Sequence, residues 1–127
     1  MRIVRLARQI GAAMSVTLAW LPSPVSAAPD GGAIVRSTCG SCHTLARGKG
    51  AAEGPNLAGV VGRTAGSAPN FPYSPGFRKG LAGKTWTPQL LDKFLTDTEK
   101  LAPGANMTYF NDDPASRAAI IKYLSGL

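Results

Sequence analysis

Residues 37–48 read Ser-Thr-Cys-Gly-Ser-Cys-His-Thr-Leu-Ala-Arg-Gly, and the cluster from Cys39 to His43 decides how the rest of the chain is read. It holds both cysteines and the single histidine of the 127 residues. Four uses of such a cluster compete: a disulfide, a dithiol redox pair, a zinc site and covalent haem attachment. A Cys39–Cys42 disulfide closes a very short loop and stabilises little. A thioredoxin-like pair belongs at the start of a helix that follows a strand, whereas no β-patterned run precedes Cys39 and the pair sits at the end of a helical pattern. A structural zinc site takes four Cys or His ligands; the chain has three, two of them fixed side by side. Cys-x-x-Cys-His is the pattern for covalent haem attachment. Two thiols three residues apart occupy one helical turn and can add to the vinyl groups of neighbouring pyrroles. The next residue, His43, then carries an imidazole under the iron.

Redox compartment bears on which of these uses is open. Arg2, Arg5 and Arg8 form a positive start, Ile10 to Leu21 is an uncharged and mostly apolar run of twelve residues, and residues 22–29 (PSPVSAAP) supply small residues for cleavage. Val25 and Ala27 fit an A-x-A-like site. The segment reads as a Sec-type signal peptide over residues 1–27, with no twin-arginine signature, and predicts a periplasmic domain over residues 28–127. Twelve residues fall short of the roughly 20 that span a bilayer, so no stable membrane insertion is expected. Without the leader, eleven Lys and Arg face seven Asp and Glu, a net charge of +4. No basic block or interleaved aromatic stripe suggests nucleic acid; the charge suits solubility and weak steering of a protein partner. A 100-residue domain has a thin core, and a monomer is expected.

Three segments have helical character. From Asp30 to Cys42, Ile34, Val35, Thr38, Cys39 and Cys42 share one face, with Asp30 as a candidate cap. A second helix starts at Thr87 and Pro88, buries Leu90, Leu91, Phe94 and Leu95, and fades near Thr98. A third is capped by Asp113, starts at Pro114, aligns Arg117, Ile120, Ile121 and Leu124, and stops at Gly126. Between Thr44 and Thr85 lie 42 residues with nine glycines, four prolines and no sustained period. A loop of that length inside a small domain normally argues against the assignment. It is tolerable where the loop wraps a large rigid object that replaces missing core, which a haem would do.

With His43 the sole histidine, a second imidazole is not available to the iron. Met1 and Met14 lie in the leader, which leaves Met107 in LAPGANMTYF as the one methionine of residues 28–127. A lone methionine is often a flexible core filler, but a Pro/Gly-bearing loop between helices is an odd place for one. Met/His ligation raises the potential of a haem iron and fills the sixth position, so the expected work is one-electron transfer.

The ordered landmarks CGSCH, GPNL, GR followed by APNFPYS, TW, PGANM and RAAIIKYL resemble the class I cytochromes c of the soluble mitochondrial and bacterial type, over essentially all of residues 28–127. The resemblance implies an all-α fold of a few helices and long loops around one covalently bound haem c per chain, attached through Cys39 and Cys42, with its iron ligated by His43 and Met107. It implies terminal helices crossing at Gly31 and Tyr123, and a Pro55 carbonyl that accepts a hydrogen bond from His43. Arg63, Tyr73 and Trp86 match positions that hydrogen-bond or buffer a haem propionate. The implied role is an electron carrier, not an enzyme, working between redox protein partners: a reductase or dehydrogenase donor and an oxidase or reductase acceptor. A haem enzyme or gas-binding sensor with a labile Met107, and a dedicated subunit of one dehydrogenase or oxidase, are the other classes. The chain also departs from the pattern. Ala105 stands where a threonine commonly helps hold a propionate, and Glu99, Lys100 and Asn106 stand at three positions that are lysines in mitochondrial members. The segment from Ser74 to Trp86 is about two residues longer.

Overall fold

The computed structural model describes Leu21, Ser23 and residues 25–127; apart from Leu21, Ser23 and residues 25–27, the expected leader lies outside the described residues. Five α-helices follow one another: α1 (Gly31–Ser37), α2 (Pro75–Leu81), α3 (Pro88–Thr96), α4 (Thr98–Leu101) and α5 (Pro114–Leu124), with a 3₁₀ turn at Cys39–Ser41. Among the described residues there is no strand, only the isolated bridges Thr64–Thr85 and Asp97–Phe110. No helix there is long and apolar enough to cross a membrane.

The caps explain where the helices begin. The Asp30 carboxylate accepts the Ala33 N–H at 3.0 Å, the Thr87 hydroxyl accepts that of Leu90 at 3.1 Å, and the Asp113 carboxylate accepts that of Ala115 at 2.9 Å. Each satisfies one of the first-turn N–H groups that a helix leaves unpaired. Pro88 and Pro114 open α3 and α5, where a missing N–H costs nothing. The first helix is shorter than its pattern predicted. It ends at Ser37 and tightens into the 3₁₀ turn across Cys39, Gly40 and Ser41, residues with weak α-propensity.

The stretch from Thr44 to Thr85, expected to be irregular throughout, contains α2. Its seven residues carry one large apolar pair, Phe77 and Leu81, between Gly76 and Gly80 and the glycine-bearing loop around them, too little to show a sustained 3.6-residue period. Its start was nevertheless encoded, because the Ser74 hydroxyl accepts the Phe77 N–H at 3.3 Å and Pro75 takes the first turn. The rest of the stretch is pinned by hydrogen bonds. The Asn56 amide lies 2.9 Å from the Thr44 hydroxyl and from the carbonyls of Ala46 and Lys49, and Trp86 exchanges backbone bonds with Gly62 and Arg63.

α1 crosses α5 at Gly31, where a β-carbon would overlap the Ala119 carbonyl. The crossing falls where the resemblance put it, but its opposing group is the backbone of Ala119. Tyr123 packs beside Gly32 instead, with the Arg36 guanidinium 5.7 Å from its ring centroid. Val35 and Ile120 are fully buried beneath this crossing. α3 is tied to α5 by Arg117, whose Nε donates to Asp92 at 2.7 Å and whose Nη1 donates to the Asn111 carbonyl at 2.9 Å.

Candidate functional site

The helices and the long loop enclose a cavity of about 650 Å³, a size typical of cofactor and small-molecule sites. Cys39, Cys42, His43, Pro55, Arg63, Tyr73, Trp86 and Met107 all line it. Residues up to 68 positions apart in sequence are therefore brought to one wall system. Leu57, Val60, Leu91, Phe94 and Leu95 supply apolar surface between them.

The 3₁₀ turn delivers the first three groups. The His43 N–H closes onto the Cys39 carbonyl at 2.9 Å, so the histidine follows the second cysteine without leaving the turn. Its Nδ1 lies 2.7 Å from the Pro55 carbonyl. A carbonyl only accepts, so Nδ1 carries a proton, and in the neutral imidazole Nε2 keeps the lone pair. This is the contact that the resemblance implied for Pro55. Gly54 makes room for it, because a β-carbon there would overlap the imidazole ring. Cys39 and Cys42 form no disulfide with each other. Burial pushes the Cys39 thiol above its ordinary value by penalising the thiolate. The Cys42 thiol points toward Glu53, with Sγ 3.4 Å from Oε2.

Met107 enters from the strap between α4 and α5 and is only partly exposed. Neither of the first two residues before it contributes a hydroxyl: Asn106 is exposed and Ala105 is buried. Polar groups gather elsewhere on the wall. Arg63 Nη2 donates to the Asn56 carbonyl at 2.9 Å, which fixes one corner of the guanidinium and leaves its other donors. The Tyr73 hydroxyl accepts the Ala68 N–H at 3.3 Å and keeps its own proton to give. Trp86 lies in an aromatic run: Tyr73 stacks on Phe77 at 4.7 Å between centroids, and Trp86 meets Phe94 at 5.1 Å.

Four contributors were not singled out from sequence. Asn56 sits in the GPNL landmark, and its amide geometry depends on the Thr44 hydroxyl and on two carbonyls, those of Ala46 and Lys49. Phe77 joins Tyr73 to Trp86 and Phe94, and its signal was the Ser74-Pro75 helix start just before it. Glu53 precedes GPNL without belonging to a pattern, and Thr98 looked only like the fading end of a helix.

Two thiols on one turn, an imidazole with its lone pair free, a thioether, apolar walls and a few polar donors form a set suited to a covalently attached haem. Among the described residues, no group of three or more His, Cys, Asp or Glu side chains is placed to hold a metal ion by itself. Residues 28–127 match the family model described as cytochrome c. The chain belongs to the cytochrome c family. The cytochrome is 39% identical over 99 residues to cytochrome c2 of Rhodopila globiformis, a match covering 77% of this chain and 91% of that protein. It is 35% identical over 105 residues to cytochrome c-550 of Novispirillum itersonii, covering 76% and 95%. Among solved structures it is similar to cytochrome cH from Methylobacterium extorquens, with a TM-score of 0.67 and 32% identity over 76% of this chain and 96% of that one. The all-α arrangement is that of class I cytochromes c. Membership makes the cytochrome a haem-based electron carrier rather than an enzyme, with covalently bound haem c and redox partners.

Proposed function

We propose that this cytochrome is an exported, monomeric, periplasmic one-electron carrier in which Cys39 and Cys42 would hold the haem by thioethers and His43 and Met107 would ligate its iron. The observation that carries the reading is the orientation of His43. With Nδ1 committed to Pro55, Nε2 is the nitrogen left for coordination, and among the described residues Met107 is the one sulfur on the same cavity wall system apart from the two cysteines. When bound, the haem iron supplies the one-electron change.

The chain's residues do the rest. The Pro55 carbonyl fixes the imidazole ring plane and raises its basicity. Leu91, Phe94, Leu95 and the aromatic run exclude water, and a thioether supplied by Met107 would leave the iron no open position for a substrate. Arg63, Tyr73 and Trp86 offer donors toward propionate charge. Burial of the haem against these walls would keep reorganisation small when its charge changes. The donor and acceptor are membrane-bound or periplasmic redox proteins, steered by modest positive charge rather than by a dense lysine ring, since Glu99 and Asn106 dilute it.

The test is the near-infrared spectrum of the ferric protein at neutral pH. A methionine-to-iron charge-transfer band is expected, with its loss in Met107→Leu; a high-spin spectrum with rapid carbon monoxide binding after reduction would sink the carrier reading. Export is read separately, by sequencing the N-terminus of the periplasmic form, expected at Ala28.

A further inference from the structure

The strap that carries Met107 is fastened at both ends to two neighbouring residues of α4. After Met107, the chain meets Thr98, which is fully buried. The Thr98 N–H donates to the Tyr109 carbonyl at 3.1 Å, its hydroxyl donates to the same carbonyl at 3.2 Å, and that hydroxyl accepts the Tyr109 N–H at 2.9 Å. Asn111 extends the pairing by donating its N–H to the Thr96 carbonyl at 3.2 Å. Before Met107, the Glu99 carboxylate accepts the Gly104 N–H at 3.1 Å and 3.3 Å from its two oxygens. The Ala105 N–H closes onto the Ala102 carbonyl at 3.0 Å. Ala105 has no hydroxyl with which to fasten the strap from inside the cavity.

We infer that Thr98 and Glu99 are the positioning residues of the Met107 strap, and that they set how readily a foreign ligand displaces Met107. The inference rests on Met107 being the axial ligand. Lifting the methionine away from the cavity requires its flanking backbone to move. On one side that breaks a reciprocal, buried set of hydrogen bonds, and a buried donor left without a partner is costly. On the other side it breaks an exposed bond to a carboxylate, which is worth less. Thr98 is thus the stronger anchor and Glu99 the weaker.

The experiment mixes ferric haem-loaded protein with imidazole and follows the change in absorbance, alongside the near-infrared band. Thr98→Val keeps the shape of the side chain but removes the hydroxyl. Its imidazole association should be faster on the order of tenfold, and Thr98→Ser should restore the unmutated rate. Ile120→Val, a core change remote from the strap, lowers global stability and should leave the imidazole rate unchanged. Glu99→Ala, on the surface and tolerant in folding, should accelerate imidazole by about two- to threefold, and it carries the test should Thr98→Val fail to load haem. Unchanged kinetics in Thr98→Val and Glu99→Ala, or equal acceleration in Ile120→Val, overturns the inference while the band in the unmutated protein still upholds the ligation. Absence of the band from the unmutated protein overturns the ligation reading itself, and the inference with it.

Discussion

Gly54 and His43 show how much of the site depends on single atoms. The imidazole lies against the Gly54 backbone so that Nδ1 can reach Pro55 at 2.7 Å, and any side chain at residue 54 occupies the ring's place. Gly54→Ala should therefore push the ring off its carbonyl, costing about 1–3 kcal/mol in the manner of an overpacked core. Chemical denaturation of the haem-loaded protein, followed by its absorbance, measures this; unaltered stability would mean that the ring position is not constrained by residue 54. The sequence showed that His43 is the available imidazole and, through the family pattern, that Pro55 is its partner. It did not show why residue 54 is glycine, because that requirement arises only when two segments eleven positions apart are folded together.

At the scale of elements, the long helices were legible because their signals are local. Each cap and proline lies within a turn of the residues it affects, and the apolar stripes of α3 and α5 repeat often enough to be read. α2 is not legible in the same way: the apolar face of α1 runs on past its end to Cys42, whereas the seven residues of α2 stand alone with Phe77 and Leu81 as their only large apolar pair. What joins the elements was not legible. Arg117 falls in the buried stripe of α5, and only the fold supplies Asp92 from α3 and the Asn111 carbonyl from the end of the strap as its partners. The Asp92 side chain is 45% exposed and that of Arg117 11%, so losing the arginine leaves a carboxylate that water can still solvate. Arg117→Ala should cost roughly 1–3 kcal/mol, chiefly from the lost charged hydrogen bonds and packing, short of the 3–5 expected for an uncompensated, fully buried charge. Equilibrium unfolding in urea gives the number, and a value near zero would show that α3 and α5 hold together without this contact.

For the whole molecule, the cavity sets the energetics. Without the haem, the apolar residues lining the 650 Å³ cavity would forfeit their packing contacts and meet solvent, a large cost against the total stability of a typical domain, about 5–15 kcal/mol. Water entering at the open side reduces that cost without supplying the missing contacts. Haem loading and folding should accordingly be one event. The Cys39→Ala, Cys42→Ala variant made without haem should lose most of the helical circular dichroism of the loaded protein and all fixed tertiary signal. A haem-free protein with native-like spectra would show that the helices and the pinned loop form a sufficient core unaided.

The sequence alone determined the attachment motif, the caps of α1, α3 and α5, the candidate ligand pair and the family pattern, because these reside in spacing within a turn or in residue types that occur once over residues 28–127. Tertiary structure alone decided that Thr98 and Glu99 fasten the methionine strap, that Gly31 presses on the Ala119 carbonyl while Tyr123 packs at Gly32, and that Arg63 rests on Asn56. Those pairings are made by where the chain path brings distant backbone groups, and hydrogen-bonding backbone is nearly the same chemistry at every residue, so no residue type announces them in advance.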